Sequence, residues 1–193
     1  MTDYILTAIL AYLIGSIPSG LILGKLFWHK DLREHGSHNI GATNAWRTLG
    51  KGAGIAVFIA DSLKGQAGVA LGLVLAGTPL AAVIGGLFAI IGHSFSLFLR
   101  FHGGKGVATS LGVLTMLMGN VTFIVFVVWF TIVYMTRYVS LGSVVAGVLT
   151  PILAALFAYP MEYIVFTVIA ALLVIVRHRE NIKRLMNGTE NKI

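Results

Sequence analysis

The sequence contains no cysteine and few charged residues. The absence of Cys from its 193 residues excludes a disulfide framework and thiolate catalysis. Lys, Arg, Asp and Glu together make up 11% of the chain, whereas hydrophobic residues make up 57%. A soluble domain of this length could not bury so much apolar surface. Acidic residues number only 7 against 14 basic ones, and the net charge of +7 suits an anionic membrane surface or an anionic substrate.

Long apolar runs take the place of a soluble core. Residues 107–118, 121–135 and 163–176 carry no charge at all, as is typical of membrane spans. The basic residues form clusters between such runs: Lys25/Lys30/Arg33, Arg47/Lys51/Lys64, Arg100/Lys105, Arg137, Arg177/Arg179/Lys183/Arg184 and Lys192. Short basic loops stay in the cytoplasm, so each stretch between clusters should cross the membrane an even number of times. Nucleic acid is not expected as a partner, because the charges are threaded between spans.

Turn signals divide three of these stretches into hairpins of two spans: Gly77-Thr78-Pro79, Gly119-Asn120 and Tyr159-Pro160. With a first span near the amino terminus, the pattern predicts an all-α integral membrane protein with seven transmembrane helices. The amino terminus lies outside, the carboxyl terminus is cytoplasmic, and residues 1–193 form a single polytopic domain. Asp3 replaces the basic start of a signal peptide, so cleavage is not expected. Residues 106–119 and 120–136 are short against the usual ~17–25, which leaves five spans with re-entrant hairpins as the alternative.

Two segments between spans, both predicted on the cytoplasmic side, are rich in glycine and hydrogen-bonding residues. Residues 36–54 combine glycines, which permit close backbone approach to a ligand, with Ser, His and Asn side chains. Successive amide N–H groups in such turns bind anions, and Arg47 can bind a phosphate through two parallel hydrogen bonds. This combination favours a phosphate site over a merely tight interfacial turn.

The second segment, residues 101–112, places Gly103, Gly104, Lys105 and Gly106 just before a predicted helix. A glycine-rich turn that opens a helix presents free N–H groups and the positive dipole end to an anion. Lys105 adds a full charge, although Arg100 and Lys105 could also serve only to set the topology. Gly106 follows the lysine where a Walker A loop has Ser or Thr, and the chain has no dinucleotide-binding Gly-x-Gly-x-x-Gly fingerprint.

Other spans carry features that packing alone could explain. Pro18 should kink the first span and free a backbone carbonyl. The pairs Gly20/Gly24 and Gly68/Gly72 predict close helix packing.

Ionisable residues also occur inside or at the ends of spans. Asp61 and Lys64, three residues apart on one helix face, are either functional or a structural ion pair. For His93, near the end of the third span, the prediction is a histidine in the interior whose ring nitrogens have hydrogen-bond partners.

The end of the last span is strongly basic. A continuous helix there would bring His178 and Asn181 to one face, where they could serve a site together. Glu180 is expected to pair with Arg177, with Lys183 or Arg184, or with a basic residue of another loop. The alternative is that the stretch is simply a basic stop-transfer flank.

Four motifs together resemble the bacterial acyl-phosphate:glycerol-3-phosphate acyltransferases, the PlsY family. They are Gly-Ser-Ile-Pro-Ser-Gly from residue 15, Gly-Ser-His-Asn-Ile-Gly-Ala-Thr-Asn from residue 36, His-Gly-Gly-Lys-Gly-Val-Ala-Thr from residue 102, and Arg-His-x-Glu-Asn-Ile-x-Arg-Leu from residue 177. The resemblance covers nearly the whole chain. It implies a multi-pass enzyme of the bacterial inner membrane, active on the cytoplasmic face. That enzyme transfers an acyl group from acyl phosphate to glycerol 3-phosphate, giving lysophosphatidic acid and inorganic phosphate in phospholipid biosynthesis.

The resemblance also implies roles for individual residues. Ser37, His38, Asn39, Arg47, Gly103, Gly104 and Gly106 would bind substrate, Lys105, Ser143, His178 and Asn181 would be catalytic, and Glu180 and Gly41 would be structural. His178 is the best protein candidate for a base, since an ordinary histidine has a pKa of ~6.5. A substrate phosphate could act instead, and the good leaving group slightly favours it because only a weak base is needed. No cofactor or metal is expected; the partners are membrane lipid and the enzyme that supplies acyl phosphate.

A second hypothesis is a transporter for anions or phosphate esters. It shares the basic polar loops but predicts two pseudo-symmetric halves and helices broken near the bilayer midplane. The sequence shows no internal symmetry, and its polar motifs are all predicted on one face. A purely structural protein would have no use for the Gly/His/Asn loops, so the acyltransferase hypothesis is preferred.

Overall fold

A computed structural model describes all residues, 1–193, and consists of α-helices with two short 3-10 helices. The α-helices are α1 (Thr2–Ser16), α2 (Ser19–Trp28), α3 (Ala42–Leu49), α4 (Lys51–Ala76), α5 (Pro79–Ser94), α6 (Val107–Leu117), α7 (Gly119–Thr136), α8 (Val139–Leu156), α9 (Met161–Arg177) and α10 (Arg179–Met186). The 3-10 helices are Leu32–Glu34 and Leu97–Leu99. The all-α prediction is confirmed. The chain groups into two compact units, Met1–Val113 and Leu114–Ile193, and the single polytopic domain stays a prediction.

Five helical segments are long and apolar enough to cross a membrane. They are Thr2–Trp28 (α1 with α2), Lys51–Ala76, Pro79–Leu99, Gly119–Thr136 and Val139–Leu156. Helices α9 and α10 would add a sixth as one span bent by 59°. Helix α6 has 11 residues, and at ~1.5 Å per residue it reaches only about half of a ~30 Å hydrocarbon core. All seven predicted spans are therefore helical, while their number and the sidedness of the termini stay predictions.

In the first unit, α1, α4 and α5 pack against one another through small residues. A Cβ atom on Gly85 would overlap the backbone carbonyl of Gly68, and one on Gly72 would overlap that of Ala81. Such close backbone approach is the usual way in which helices associate in a membrane, where apolar side chains gain little by leaving lipid. The packing role predicted for Gly68 and Gly72 is confirmed.

The pair in α2 also serves packing, but against the backbone of loop residues rather than against another helix as predicted. A Cβ on Gly20 would overlap the Ile40 carbonyl, and one on Gly24 would lie 3.0 Å from the Lys30 carbonyl oxygen.

Pro18 breaks the first span, as predicted: α1 ends at Ser16 and α2 begins at Ser19. Because proline has no N–H and its ring excludes a regular helical turn, nearby carbonyls lose their helical partners. Two buried side chains use them. Lys64 Nζ donates to the Ile17 carbonyl at 2.8 Å, and Ser96 Oγ donates to the Ser16 carbonyl at 2.5 Å.

In the second unit, α8 packs between α7 and α9, and α10 contacts both α8 and α9. Helix α7 ends at Thr136, and the next residue, Arg137, has a left-handed φ of 65°. Pro160 immediately precedes α9. The chain end folds back onto this unit, since Ile193 N–H donates to the Arg137 carbonyl at 3.1 Å. This return brings Glu190, which is only 7% exposed, into the interior.

Candidate active site

The loop before α3 is organised around one buried amide, that of Asn44. Its Nδ2 atom donates to the carbonyls of Leu32 (3.0 Å), His35 (3.0 Å) and Asn39 (2.8 Å). Its Oδ1 atom accepts the Ser37 N–H at 2.9 Å. Asn44 is 2% exposed, so these contacts fix the loop from inside. In the sequence Asn44 is one of several polar residues of segment 36–54, and no role was predicted for it.

The predicted substrate-binding residues of this segment lie on the frame that Asn44 builds. Ser37 and His38 are exposed, whereas Asn39 and Arg47 are half-buried. His38 has a left-handed φ of 56°, which is uncommon for a residue other than glycine. Its Nδ1 atom hydrogen-bonds to the Arg33 carbonyl at 2.8 Å and holds the ring in place.

The start of α3 is fixed by the Asn39 side chain. Asn39 Oδ1 accepts the Gly41 N–H at 2.9 Å, and Gly41 is the residue that caps the helix. The structural role predicted for Gly41 fits this geometry. Substrate binding by the four other residues stays a prediction.

Not every basic residue here is available for an anion. Asp31 pairs with Lys25 at 3.0 Å and with Arg33 at 2.7 Å. The hydrogen bond from the Arg33 side chain holds the pKa of the Asp31 carboxyl well below its usual range. One positive charge from the last turn of α2, Lys25, and one from the loop that follows it, Arg33, are therefore used to anchor the loop.

The glycine-rich segment before α6 is attached to the end of α5. Gly103 N–H donates to the Ser94 carbonyl at 3.2 Å, and Gly104 N–H donates to the His93 carbonyl at 3.0 Å. A Cβ on Gly103 would overlap the His93 carbonyl, and one on Gly104 would overlap the imidazole of His93. These glycines are thus required by packing, and their predicted part in substrate binding stays a prediction.

The end of this segment delivers the chain into α6. Gly106 has a φ of 78°, and its carbonyl accepts the Ser110 N–H at 2.7 Å in the first turn of the helix. The N–H groups of that first turn precede the helical hydrogen-bond ladder and point out of the helix end. Lys105 is half-buried beside them. The predicted arrangement of a lysine among glycines at a helix start is therefore present.

A buried ionic cluster lies between α4 and α5. Lys64 Nζ lies 2.8 Å from Asp61 Oδ1 and 3.2 Å from His93 Nδ1. The side chains of Asp61, Lys64 and His93 are 3%, 7% and 4% exposed. The i,i+3 ion pair, one of the two interpretations of Asp61 and Lys64, is present, and His93 lies in the interior as predicted. The structure contains no group of three or more His, Asp or Glu side chains that could hold a metal ion.

The continuous helix predicted through residues 177–185 is wrong, because the chain bends by 59° between α9 and α10. His178 is the hinge residue, and its N–H donates to the carbonyls of Val174 and Ile175, both at 3.0 Å. Its side chain closes the end of α9, with Nδ1 at 2.7 Å from the Val174 carbonyl. A carbonyl can only accept, so Nδ1 carries the hydrogen and Nε2 of the neutral ring carries the lone pair.

Asn181 is also buried, but a partner from the tail of the chain explains its orientation. Asn181 Nδ2 donates to Glu190 Oε1 at 2.6 Å. Ser140 Oγ donates to the same oxygen at 2.8 Å, and Arg184 Nε donates to Glu190 Oε2 at 2.7 Å. Burial by itself raises the pKa of Glu190, but these hydrogen bonds outweigh burial and hold the pKa below its ordinary value. Sequence analysis missed Glu190, since its partners lie up to 50 residues away.

Ser143 lies in α8, where its Oγ donates to the Val139 carbonyl at 2.9 Å and accepts from Trp129 Nε1 at 3.3 Å. The side chain is therefore held in one orientation by groups of the same unit. Its predicted catalytic role stays a prediction.

The partners predicted for Glu180 are wrong. Glu180 Oε1 lies 3.6 Å from Arg179 Nε, and these side chains are 67% and 78% exposed. Arg184, one of the predicted partners, binds Glu190 instead. An exposed pair of this kind contributes little to stability.

Comparisons with known proteins agree over the full length of the chain. Residues 5–188 match the family model described as glycerol-3-phosphate acyltransferase. The glycerol-3-phosphate acyltransferase of Carboxydothermus hydrogenoformans is 47% identical over 98% of this chain and 96% of its own. The protein of the same description from Bacillus subtilis is 45% identical over 97% of this chain and 96% of its own.

Two crystal structures share the fold. Both are of PlsY (YgiH), described as an integral membrane glycerol 3-phosphate acyltransferase, one in a glycerol 3-phosphate form and one in a lysophosphatidic acid form. Their TM-scores are 0.93 and 0.91, at 39% and 37% identity, and each match covers 98% of this chain and 95% of the other. The chain therefore belongs to the glycerol-3-phosphate acyltransferase family of integral membrane enzymes, the PlsY family that its four motifs predicted.

Proposed function

We propose that this acyltransferase moves a fatty acyl group from acyl phosphate to the 1-hydroxyl of sn-glycerol 3-phosphate. The products are lysophosphatidic acid and inorganic phosphate, and the reaction starts phospholipid synthesis. The observation that carries the proposal is the full-length match to PlsY at a TM-score of 0.93, with all four motifs present. The matched family is described by acyl transfer, which favours the acyltransferase over the transporter.

The chemistry needs little from the protein beyond positioning and charge. The hydroxyl oxygen attacks the acyl carbonyl carbon, a new C–O ester bond forms, and the C–O bond to phosphate breaks. The hydroxyl proton passes to a base, and phosphate leaves with the bonding electrons. Because acyl phosphate is already activated, the enzyme chiefly holds two anions in reacting geometry and stabilises the charge that develops on the carbonyl and the leaving group.

Residues of the first unit supply groups for holding phosphate. In this proposal Ser37, His38, Asn39 and Arg47 bind glycerol 3-phosphate. Their support is the frame built by the buried Asn44 amide, which fixes the loop that carries them.

The second phosphate-binding element of that unit is the glycine-rich segment before α6. Lys105 stabilises the departing phosphate or the carbonyl oxyanion, beside the N–H groups of the first turn of α6. The support is the attachment of Gly103 and Gly104 to the end of α5, which leaves the segment little freedom.

Residues of the second unit supply buried polar groups. Ser143 and Asn181 contact substrate, and the carboxylate of Glu190 orients the Asn181 amide. We propose a substrate phosphate as the proton acceptor, with His178 as the alternative. The hydrogen bond from His178 Nδ1 to the Val174 carbonyl supports that alternative, since it leaves the lone pair on Nε2.

The proposed location is the inner membrane of a bacterial cell, with the polar loops in the cytoplasm. The basic residues support this orientation, because a fold with all of them inside obeys the preference of short basic loops for the cytoplasm. The amino terminus would then lie outside and the carboxyl terminus inside. The enzyme that makes acyl phosphate is the proposed partner, since an amphiphilic acyl donor reaches the site from the cytoplasm or the lipid.

One incubation tests the reaction. The purified protein is mixed with acyl phosphate and glycerol 3-phosphate, and the release of inorganic phosphate and the formation of lysophosphatidic acid are followed together. Equal amounts of the two products are expected. Acyl-CoA and acylated carrier protein serve as control donors, and product formation from either without acyl phosphate would contradict the proposed donor.

A further inference from the structure

The buried cluster of Asp61, Lys64 and His93 takes no part in the proposed acyl transfer. A charged pair inside a membrane protein is costly to bury and is a functional candidate by default. The Lys64 ammonium contacts three groups: it donates to the Ile17 carbonyl at 2.8 Å, it hydrogen-bonds to His93 Nδ1 at 3.2 Å, and it forms an ion pair with Asp61 Oδ1 at 2.8 Å. The ammonium is therefore held by groups of three different segments, which fixes its position in the cluster.

These contacts also determine the state of the imidazole. An ammonium can only donate, so in the neutral ring His93 Nδ1 accepts from Lys64 and the ring hydrogen lies on Nε2. Nε2 is on the far edge of the ring from Lys64, and it faces Gly104 so closely that a Cβ there would overlap it. Asp61 and Lys64 thus orient an imidazole whose outer edge rests on the glycine-rich segment.

Two consecutive residues of α5 hold that segment in the same way. His93 accepts the Gly104 N–H through its carbonyl (3.0 Å) and faces Gly104 with its ring. Ser94 accepts the Gly103 N–H through its carbonyl (3.2 Å), and its Oγ would lie 3.1 Å from a Cβ on Gly106. The Ser94 hydroxyl is buried and makes no hydrogen bond within the chain. Both ends of the segment around Lys105 therefore rest on polar side chains of α5.

We propose that His93, oriented by Lys64 and Asp61, is a positioning residue that holds the glycine-rich segment in the shape that binds a phosphate group. The inference rests on the proposed function, in which this segment holds a phosphate. That phosphate belongs to either acyl phosphate or glycerol 3-phosphate, since both offer the same anionic oxygens. Loss of the support should weaken the binding of one of them more than it slows the chemical step.

Two substitutions at position 93 separate positioning from stability. In His93→Asn the side-chain oxygen can still accept from Lys64, but the contact with Gly104 is lost. In His93→Gln the longer side chain can reach Gly104, but the acceptor for Lys64 is displaced. We expect His93→Asn to keep its thermal midpoint while the KM for one phosphate substrate rises about tenfold or more and kcat changes less. We expect His93→Gln to lose stability and keep KM within about threefold.

The KM values for acyl phosphate and for glycerol 3-phosphate are measured separately, and the one that rises identifies the phosphate that the segment holds. The positioning role is overturned if both KM values are unchanged in His93→Asn. It is also overturned if His93→Gln, the variant expected to be less stable, raises KM more than His93→Asn does. Calorimetric titration with inorganic phosphate provides a measurement without turnover, in which His93→Asn should bind about tenfold more weakly than wild type. A wild type that binds phosphate but transfers no acyl group would reject the proposed function alone. A His93→Asn variant that binds phosphate as wild type does would reject the positioning role alone.

Discussion

The ion pair between Asp61 and Lys64 offers the sharpest test of how this fold is stabilised. Replacing Lys64 with Met removes the only ammonium beside a carboxylate that is 3% exposed. It also removes one of the two donors to the Ile17 carbonyl at the Pro18 break, the other being the Ser19 N–H. Removing one partner of a buried pair typically costs about 3–5 kcal/mol, because the other charge stays buried without compensation. For a chain of this size about 1 kcal/mol lowers the thermal midpoint by about 2–4 °C. Lys64→Met should therefore lower it by about 6–20 °C.

The assay is thermal unfolding of the purified variants in one detergent, followed by circular dichroism. The double variant Asp61→Asn/Lys64→Met should recover much of the loss, because it no longer buries an unpaired charge. Arg179→Met is the matched control, since it breaks the ion pair with Glu180, in which the two side chains are 78% and 67% exposed. The thermal midpoint of this variant should not change. A Lys64→Met midpoint within about 2 °C of wild type, or a double variant as unstable as the single one, would refute the reasoning.

Further expectations concern the proposed site. Lys105→Ala should lower kcat about a hundredfold without unfolding the protein, because it removes a charge proposed to stabilise the reacting group. In His178→Ala the acidic limb of the pH–rate profile should remain, and it should shift when the substrate phosphate is replaced by a phosphonate of different pKa. Glu190→Gln should cost about 1.5–3 kcal/mol at neutral pH, since it weakens charge-assisted hydrogen bonds. Single cysteines placed at positions 37, 105 and 181 should react only with reagents applied from the cytoplasmic side.

Each of these has its own control or contrary result. Arg100→Ala should leave kcat nearly unchanged. A near-normal kcat in a folded Lys105→Ala protein would make Lys105 a topology residue only. An acidic limb that disappears in His178→Ala and ignores the phosphonate would identify the histidine as the base.

The effect at Glu190 depends on pH. The pKa of Glu190 is lowered by folding, so its contribution is present above the ordinary pKa of 4.5 and is lost as the pH falls through the folded value. The difference in thermal midpoint between Glu190→Gln and wild type should therefore shrink in acid, and a difference that stays constant with pH would contradict this prediction.

Labelling of any of the three cysteines from outside intact cells would contradict the predicted topology.

The sequence by itself determined the membrane class, the helical segments and the family. Runs of uncharged residues can be read directly, since a bilayer accepts only backbone that satisfies its own hydrogen bonds, and helices do so locally. The break at Pro18 and the i,i+3 pairing of Asp61 with Lys64 could be predicted for the same reason: each depends on residues within one turn of a helix. The motifs identified the family because four of them occur together in one order.

Only the tertiary structure decided what the polar side chains touch. Asn44 organises the loop before α3 through carbonyls up to 12 residues away, and Glu190 binds Ser140 across 50 residues. His93 meets Lys64 across 29 residues and Gly104 across the end of α5. Local periodicity favours a continuous helix through His178, but the chain bends there. Arg184, one of the partners expected for Glu180, pairs with Glu190 instead. A buried polar group must find a partner wherever the packed helices offer one, and that choice is fixed by contacts between distant segments rather than by any local pattern.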